Sequence, residues 1–187
     1  MGSGKSSVGR ALARRWQLTF RDTDDDVEAA TGRTVTQVFA DDGEDCFRKL
    51  EREAVARALE AHDGILALGG GAVLHPETRA ALGRYAAAGG IVVLLEVSEP
   101  VALRRIGPSA SRPAATRPLL ADDPGRWKQV ADARRPLYEQ VATLRVPTDE
   151  ATTEGVAAEI ERLLQVARTA SFGIPVVRAG DAAGGTP

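Results

Sequence analysis

The feature that most constrains this chain is a glycine-rich turn at its start, which runs directly into a helix. The turn has the sequence Gly2-Ser3-Gly4-Lys5-Ser6-Ser7, and the segment after it carries apolar residues at positions 8, 12 and 16. In a P-loop, the backbone N–H groups of such a turn surround nucleotide phosphates, the lysine adds positive charge, and the next hydroxyl reaches Mg²⁺. An ordinary basic helix start accounts for the same residues, so the rest of the chain has to decide between the two.

The P-loop pattern is incomplete at its beginning. A complete motif has another glycine five residues before Gly4 and a buried strand ahead of it, whereas this sequence begins at Met1. We therefore expect the first strand to be missing from this chain and the native polypeptide to begin upstream. Each buried Val, Leu or Ile of a central strand contributes roughly 1.5–3 kcal/mol to a domain stability of about 5–15 kcal/mol. A chain that really starts at Met1 is thus expected to be unstable or impaired in activity.

Composition limits the classes of protein to which the chain can belong. Its 187 residues suit one compact domain, and no apolar run is long enough to span a bilayer. The 24 basic and 26 acidic residues leave a net charge of -2, which gives no electrostatic support for a nucleic-acid or membrane partner. No signal peptide precedes the turn, and Cys46 is the single cysteine. We therefore expect a cytoplasmic protein without disulfides, and we expect it to act as a monomer.

A cluster of carboxylates follows the first predicted strand, which covers Leu18–Arg21. The cluster reads Asp22-Thr23-Asp24-Asp25-Asp26, with four carboxylates in five residues. Such groups repel one another unless they meet a cation, a hydroxylated ligand or solvent. A helix start, where acidic residues complement the helix dipole, accounts for Asp25 and Asp26 but less well for Asp22 and Asp24.

A second glycine cluster follows a buried strand. The apolar segment 64–68 is typical of a strand inside a parallel sheet, and it ends in Gly69-Gly70-Gly71. Three glycines suit a place where a ligand approaches the main chain closely, and a plain flexible loop accounts for them equally well. The helix before this strand, which Gly43 opens, carries Arg48 next to Phe47. A solvated arginine is the common case in such a helix.

A long loop in the second half of the chain contains two arginines. Residues 107–120 are rich in Gly, Pro, Ser, Ala and Thr, and Arg112 and Arg117 stand among them. Long loops of this composition are usually functional or disordered. The pattern favours a mobile lid that closes over an anionic ligand.

The last helices set the predicted domain boundary. A helix beginning at Pro124 carries Arg134 near its end, and a final amphipathic helix covers 156–166. Beyond Thr169 the periodicity is lost. We therefore assign one domain to residues 1–168 and expect a disordered tail over 169–187.

Strands that alternate with helices predict an α/β fold with a parallel sheet and right-handed crossovers. Ligands of such folds bind at the carboxyl ends of the strands. The glycine turn, the Asp22/Asp24 pair, the triple glycine and the arginine loop all follow strands or would do so. The four features are therefore expected at one edge of the sheet.

Taken together, these residues resemble the shikimate kinases, which are small P-loop kinases related to the nucleoside monophosphate kinases. The resemblance runs from Gly2 to about Thr148 and rests on motifs in a specific order: Gly2-Ser3-Gly4-Lys5-Ser6, Asp22-Thr23-Asp24, Thr31-Gly32-Arg33, Phe39-Ala40-Asp41-Asp42-Gly43-Glu44, Phe47-Arg48, Gly69-Gly70-Gly71-Ala72-Val73, Arg117-Pro118-Leu119-Leu120 and Arg134-Arg135-Pro136-Leu137-Tyr138. It implies a P-loop NTPase-type three-layer α/β fold around a central parallel sheet. It also implies a substrate-binding helical segment at about 23–60 and a mobile lid at about 107–120.

The implied activity is ATP-dependent phosphorylation of the 3-hydroxyl of shikimate on the route to aromatic amino acids. On the phosphate side, the turn 2–7 would bind ATP and Lys5 would contact the β- and γ-phosphates. Ser6 would ligate Mg²⁺, and Asp22 would hold the ion through water. Arg117 would come down with the lid onto the phosphates.

On the substrate side, the resemblance implies that Asp24 binds the shikimate hydroxyls and orients or deprotonates the attacking oxygen. Arg48 and Arg134 would clamp the substrate carboxylate. The backbone of Gly69, Gly70 and Gly71 would face the substrate. The walls of the pocket would come from Phe39, Phe47, Pro118 and Leu119.

Two segments depart from the family pattern. The lid contains an atypical stretch at 109–115. The loop after the last strand has Thr148-Asp149-Glu150 where an arginine would be expected, which leaves Arg104 or Arg105, and of these Arg105 in first place, to stack on the adenine base.

Two alternatives to a shikimate kinase remain open from the sequence. One is another P-loop small-molecule kinase such as a gluconate kinase, which should lack the Asp22-Thr23-Asp24 motif and the combination of Arg48 with three glycines. The other is a non-catalytic remnant that binds a ligand or partner. An ADP-release assay with shikimate and with gluconate, run on this chain and on one restored with a family-like first strand, separates the three.

Overall fold

The computed structural model describes residues 2–106 and 124–172. In these ranges the helices are α1 (Lys5–Trp16), α2 (Thr23–Thr31), α3 (Val35–Ala61), α4 (Pro76–Ala87), α5 (Glu99–Ile106), α6 (Pro124–Val141) and α7 (Thr153–Phe172). The strands are β1 (Thr19–Asp22), β2 (Gly64–Ala67), β3 (Val93–Glu96) and β4 (Leu144–Pro147), and a short 3₁₀ helix covers Ala72–Leu74. The predicted lid at 107–120, with Arg112, Arg117, Pro118 and Leu119, lies outside the described residues.

The described strands pair in parallel, as the sequence predicts. β1 pairs with β2, with Asp22 opposite Ala67, and β3 pairs with β4, with Val93 opposite Leu144. Among the described strands these are two separate two-stranded sheets, where the sequence predicts one central sheet. Because β1 and β2 are parallel neighbours, their carboxyl ends bring Asp22 and the following glycines to the same edge.

Helices cover both faces of the strands. On one face α1 and α7 form a core around Val8, Leu12 and Ile160, against which β2 and β3 also pack. On the other face Leu82 of α4 and Val141 of α6 form a second core. The arrangement confirms the predicted three-layer α/β fold.

The segment between β1 and β2 forms a small helical unit of its own. α2 and α3 enclose a third core in which Val27, Val38 and Phe47 are buried. α3 starts with a capping box, in which the side chains of Thr34 and Gln37 each accept the other's backbone N–H. Gly43 interrupts α3 with a φ of 83°, at the residue where the sequence predicts a helix to begin.

The final helix is longer than the sequence suggests. α7 ends at Phe172, so the predicted domain end at 168 and the predicted start of a disordered tail at 169 both fall inside a helix. No glycine or proline interrupts residues 156–172, and the helix-stopping Gly173 and Pro175 come only after them. None of the helices in the described ranges combines the length and the apolarity that a bilayer span requires.

Candidate active site

The glycine turn leads into α1 in the manner of an anion-binding site. Gly2 and Gly4 have φ values of 77° and 87°, a left-handed conformation that side chains other than glycine rarely adopt. A Cβ atom on Gly2 would lie 3.0 Å from backbone atoms of Ala102. The first turn of α1 contains no acidic residue, so its unpaired N–H groups and positive dipole end can face an anion. Lys5 is exposed beside this turn.

Ser6 and Asp22 meet where α1 begins and β1 ends. The Ser6 hydroxyl donates to Asp22 Oδ2 at 2.7 Å, and Asp22 Oδ1 accepts the backbone N–H of Asp24 at 3.1 Å. Asp22 is only 4% exposed and is the N-cap of α2. Asp22 therefore caps a helix, which the sequence did not lead us to expect. The same carboxylate also accepts the hydrogen bond from the Ser6 hydroxyl.

The other carboxylates of the cluster have partners on the surrounding elements. The two carboxylate oxygens of Asp26 share the Nε–H of Arg21, at 2.9 and 2.8 Å. Asp25 lies 3.6 Å from Arg10. These ion pairs explain how so many carboxylates are tolerated in one short segment.

Residues Gly69–Gly71, which we call the glycine strap, lie between β2 and the 3₁₀ helix. Their backbone passes close to charged side chains. A Cβ atom on Gly69 would overlap Glu51 Oε1 and lie 2.7 Å from Asp24 Oδ1. On Gly71 it would overlap Arg48 Nη1 and lie 2.5 Å from Arg48 Cζ. Of the two explanations open from the sequence, close approach to the main chain therefore accounts for these two glycines better than a plain flexible loop.

Arg48 is held by two carboxylates of its own helix. Its guanidinium lies 2.7 Å from Glu51 Oε2 and 2.9 Å from Glu44 Oε1. The Glu51 side chain is 3% exposed and the Glu44 side chain 49%. Burial raises the pKa of the Glu51 carboxyl, although Arg48 works against this. Burial lowers the pKa of Arg48, but the charge and hydrogen bonds of Glu51 and Glu44 outweigh it, and the net shift is upward.

Glu51 belongs to the site but is not among the residues predicted from the sequence. A glutamate one turn after an arginine is normally a solvated helix residue. The available signal was its position four residues after the buried Phe47, on the apolar stripe of α3. A carboxylate on such a stripe must have a buried partner.

Arg134 reaches the glycine strap from α6. Arg134 is 7% exposed, and its Nη1 donates to the Gly70 carbonyl at 3.0 Å. Arg48 and Arg134 therefore approach neighbouring residues of the same strap, from α3 and α6 respectively. Asp24 lies at the Gly69 end, so the structure brings together most of the residues predicted for the substrate side.

The predicted aromatic residues pack against Arg48. The rings of Phe39 and Phe47 are 4.5 Å apart, and Arg48 Cζ lies 5.8 Å and 5.3 Å from their centroids. A guanidinium group that lies above the face of an aromatic ring is attracted to that ring. Phe47 also belongs to the core of the helical unit. A direct contact of these rings with a substrate stays a prediction.

Arg105 ties the glycine turn to the end of β4. Its guanidinium donates to Thr148 Oγ1 at 2.9 Å, to the Thr148 carbonyl at 2.6 Å and to the Gly2 carbonyl at 3.4 Å. Its neighbour Arg104 is exposed. Arg105 is therefore fixed next to the turn, and its stacking on a base stays a prediction.

A left-handed glycine turn at a helix start, parallel strands between helical layers and a hydroxyl–carboxylate pair at the strand ends define a P-loop kinase fold. The family model described as shikimate kinase matches residues 1–165. The chain belongs to the shikimate kinase family, which confirms the resemblance seen in the sequence.

Relatives and solved structures agree with this assignment. A shikimate kinase of Salinispora arenicola is 51% identical over 164 residues, covering 87% of this chain and 92% of the relative. A shikimate kinase of Streptomyces coelicolor is 48% identical over 157 residues, covering 83% and 86%. The structure of shikimate kinase from Acinetobacter baumannii in complex with shikimate superposes with a TM-score of 0.81 at 30% identity, covering 90% of each chain.

Proposed function

We propose that this protein transfers the γ-phosphoryl group of ATP to the 3-hydroxyl of shikimate, producing shikimate 3-phosphate for aromatic amino-acid biosynthesis. The observation that carries the proposal is the approach of Asp24, Arg48 and Arg134 to one glycine strap. A carboxylate beside Gly69 and two guanidinium groups beside Gly70 and Gly71 suit an acceptor that bears both hydroxyls and a carboxylate. Membership of the family and the shikimate bound to the Acinetobacter baumannii neighbour support the same substrate.

The substrate carboxylate is held by Arg48 and Arg134. The planar fork of arginine matches a carboxylate with two parallel hydrogen bonds, which a lysine cannot reproduce. Each guanidinium is already oriented, Arg48 by Glu51 at 2.7 Å and Arg134 by the Gly70 carbonyl at 3.0 Å. Such preorganisation reduces the ordering that substrate binding must bring about.

The residues of the turn fit ATP and Mg²⁺. The left-handed glycines and the open start of α1 suit phosphate oxygens, and Lys5 supplies a movable positive charge. Ser6 and Asp22 offer a hydroxyl and a carboxylate, which are hard oxygen donors of the kind that Mg²⁺ prefers, together with substrate phosphates and water. When bound, Mg²⁺ would neutralise charge that develops on the phosphates. Arg117 of the lid and Arg105 beside the turn complete the proposed nucleotide contacts.

Asp24 serves the acceptor hydroxyl in this reaction. Its carboxylate orients the 3-hydroxyl and takes its proton as the new bond forms between that oxygen and the γ-phosphorus. The bond between the γ-phosphorus and the β–γ bridging oxygen breaks, and ADP leaves. Phosphoryl transfer depends mainly on alignment and on positive charge around the migrating group, and Lys5 supplies such charge. The acting unit is one domain, a cytoplasmic monomer.

An ADP-release assay with shikimate, and with gluconate as the comparison substrate, tests the proposal. We expect ADP release that depends on shikimate and is absent with gluconate. Arg48→Lys should raise the KM for shikimate about tenfold or more, because the bidentate geometry is lost. Arg52→Lys, on the same helix and paired with Glu77 at 3.4 Å, is the matched control and should change it less than about twofold. Turnover of gluconate but not shikimate would refute the proposal.

A further inference from the structure

Two side-chain hydroxyls form hydrogen bonds with the backbone of the glycine strap, one at Gly69 and one at Gly70. Thr23 Oγ1 accepts a hydrogen bond from the N–H of Gly69 at 2.9 Å, in a buried position. Tyr138 donates its hydroxyl to the Gly70 carbonyl at 2.6 Å. Neither hydroxyl takes part in the substrate contacts proposed above. Their role at the site is therefore to hold the strap in position.

Thr23 couples the strap to Asp24. It is the first residue of α2, it directly precedes Asp24, and it is fully buried. If the strap moved away from α2, the Gly69 N–H would lose its acceptor in the protein interior, and an unpaired buried donor is costly. The hydrogen bond therefore fixes the strap relative to the element that carries Asp24.

Tyr138 holds the middle residue of the strap. It lies one turn after Arg134 on α6, and both side chains donate to the same Gly70 oxygen. Burial raises the pKa of the Tyr138 phenol, so its hydroxyl remains a donor at neutral pH. Because an amide group is planar and turns as a unit, two donors on the Gly70 carbonyl also fix the N–H side of that peptide at Gly71. Gly71 is the residue that lies against Arg48.

We propose that Thr23 and Tyr138 are positioning residues that set the span between Asp24 and the arginine pair Arg48 and Arg134. They thereby select acceptors whose hydroxyl and carboxylate stand at a matching distance on one rigid ring. Consecutive Cα atoms are 3.8 Å apart, so the Cα atoms of Gly69 and Gly71 are at most about 7 Å apart. That length suits a single small ring. The proposal rests on the shikimate phosphorylation proposed above, and it adds two residues that do not touch the substrate.

The test uses variants that remove one hydroxyl each. Tyr138→Phe and Thr23→Val delete the two hydrogen bonds with little change of shape, and Thr23→Ser retains the hydroxyl. Tyr85→Phe on α4 is the matched control, because Tyr85 is 40% exposed and lies outside the site. For each protein we would measure kcat, the KM for shikimate, the KM for ATP and the melting temperature.

Wild-type turnover of shikimate is measured first, because its absence removes the proposed function and the positioning role together. With turnover present, Tyr138→Phe and Thr23→Val should raise the KM for shikimate about three- to tenfold, the range of one neutral hydrogen bond. The KM for ATP should stay within about twofold, and Thr23→Ser should restore wild-type values. An unchanged KM for shikimate, or parallel loss of both affinities together with the melting temperature, would overturn the positioning role and leave the proposed function standing. Should Thr23→Val fail to fold, Tyr138→Phe decides alone.

Discussion

The buried carboxylate of Glu51 lies 2.7 Å from the guanidinium of Arg48, one helical turn away on α3. A second carboxylate, Glu44, holds the same guanidinium at 2.9 Å from the solvent side. The two carboxylates differ in exposure, 3% against 49% of the side chain. This difference matters because an ion pair in solvent contributes little, whereas a buried charge left without its partner is costly.

Replacing Glu51 should impair substrate binding more than replacing Glu44. In Glu51→Gln the side chain keeps its shape but loses the charge that orients Arg48. We expect the KM for shikimate to rise about tenfold, which corresponds to roughly 1.4 kcal/mol, with an unchanged KM for ATP. Glu44→Gln is the control and should change the KM for shikimate less than about twofold. Equal effects of the two substitutions would show that burial does not decide which carboxylate holds Arg48.

The raised pKa of Glu51 predicts a pH dependence of stability. Its ordinary value is about 4.5, and burial raises the pKa in the folded state, so folded protein binds this proton more tightly than unfolded protein. The resulting stabilisation is present below about pH 4.5 and is lost as the pH rises through the folded-state pKa. Relative to Glu51→Gln, the free energy of unfolding of the wild type should therefore fall as the pH rises across this window.

Urea unfolding of both proteins between about pH 4 and 8 measures this difference, because the other carboxylates cancel in the comparison. Arg48 stays charged throughout, since its own pKa is raised. A difference that grows in favour of the wild type with rising pH would mean that the charge of Arg48 outweighs burial.

The Ser6–Asp22 pair predicts a dependence on Mg²⁺ that can be separated from helix capping. Asn is as good an N-cap as Asp, so Asp22→Asn preserves the start of α2 while removing the charge near the Ser6 hydroxyl. We expect activity to fall about 10- to 100-fold, the usual range for a residue that supports a metal ligand. Part of the loss should be recovered at higher Mg²⁺ concentration, and the KM for shikimate should stay unchanged.

Asp25→Asn is the matched control for that experiment. Asp25 lies in the same carboxylate cluster, 3.6 Å from Arg10, with a side chain that is 44% exposed. Its substitution should leave both activity and the Mg²⁺ dependence unchanged. If Asp22→Asn lost activity without any response to Mg²⁺, the assignment of Asp22 to the metal would be wrong.

The sequence alone predicted the elements that carry the site because their signals are local. The apolar run before the glycine strap and the carboxylates after β1 mark the ends of two parallel strands, and the register of Asp22 with Ala67 confirms that these ends meet. The conformational change at Gly43 was predictable for the same reason, since it depends on the chemistry of a few consecutive residues.

The contacts that refine the site depend on tertiary structure and could not be derived in this way. Thr23 pairs with a glycine 46 positions away, and Tyr138 with one 68 positions away, and neither pairing leaves a local signal. The predicted domain end at 168 falls inside the helix that ends at Phe172, because no glycine or proline stands in the chain between Val156 and Gly173. Residues that face one another across elements are the part that sequence periodicity does not resolve.

Gly71→Ala should weaken substrate binding and lower the stability of the fold. The added Cβ would overlap Nη1 of Arg48 and lie 2.5 Å from its Cζ, so the guanidinium must leave its place on Glu51. The displaced atoms are the end of a flexible side chain, so the methyl group can be accommodated. The buried Glu51 carboxylate then loses its partner, however, and the melting temperature should fall. The KM for shikimate should rise about tenfold, because Arg48 then points away from the strap.

Gly83→Ala on α4 is the matched control for this substitution. A Cβ at Gly83 would meet nothing within 4 Å, and alanine in a helix is more stable than glycine by about 0.5–1 kcal/mol. This variant should melt at a slightly higher temperature with unchanged kinetics. Kinetic constants and thermal melts of the two variants check the prediction together. A Gly71→Ala protein with a wild-type KM would mean that Arg48 binds the substrate equally well from a displaced position, and the close approach of strap and arginine would then have no functional role.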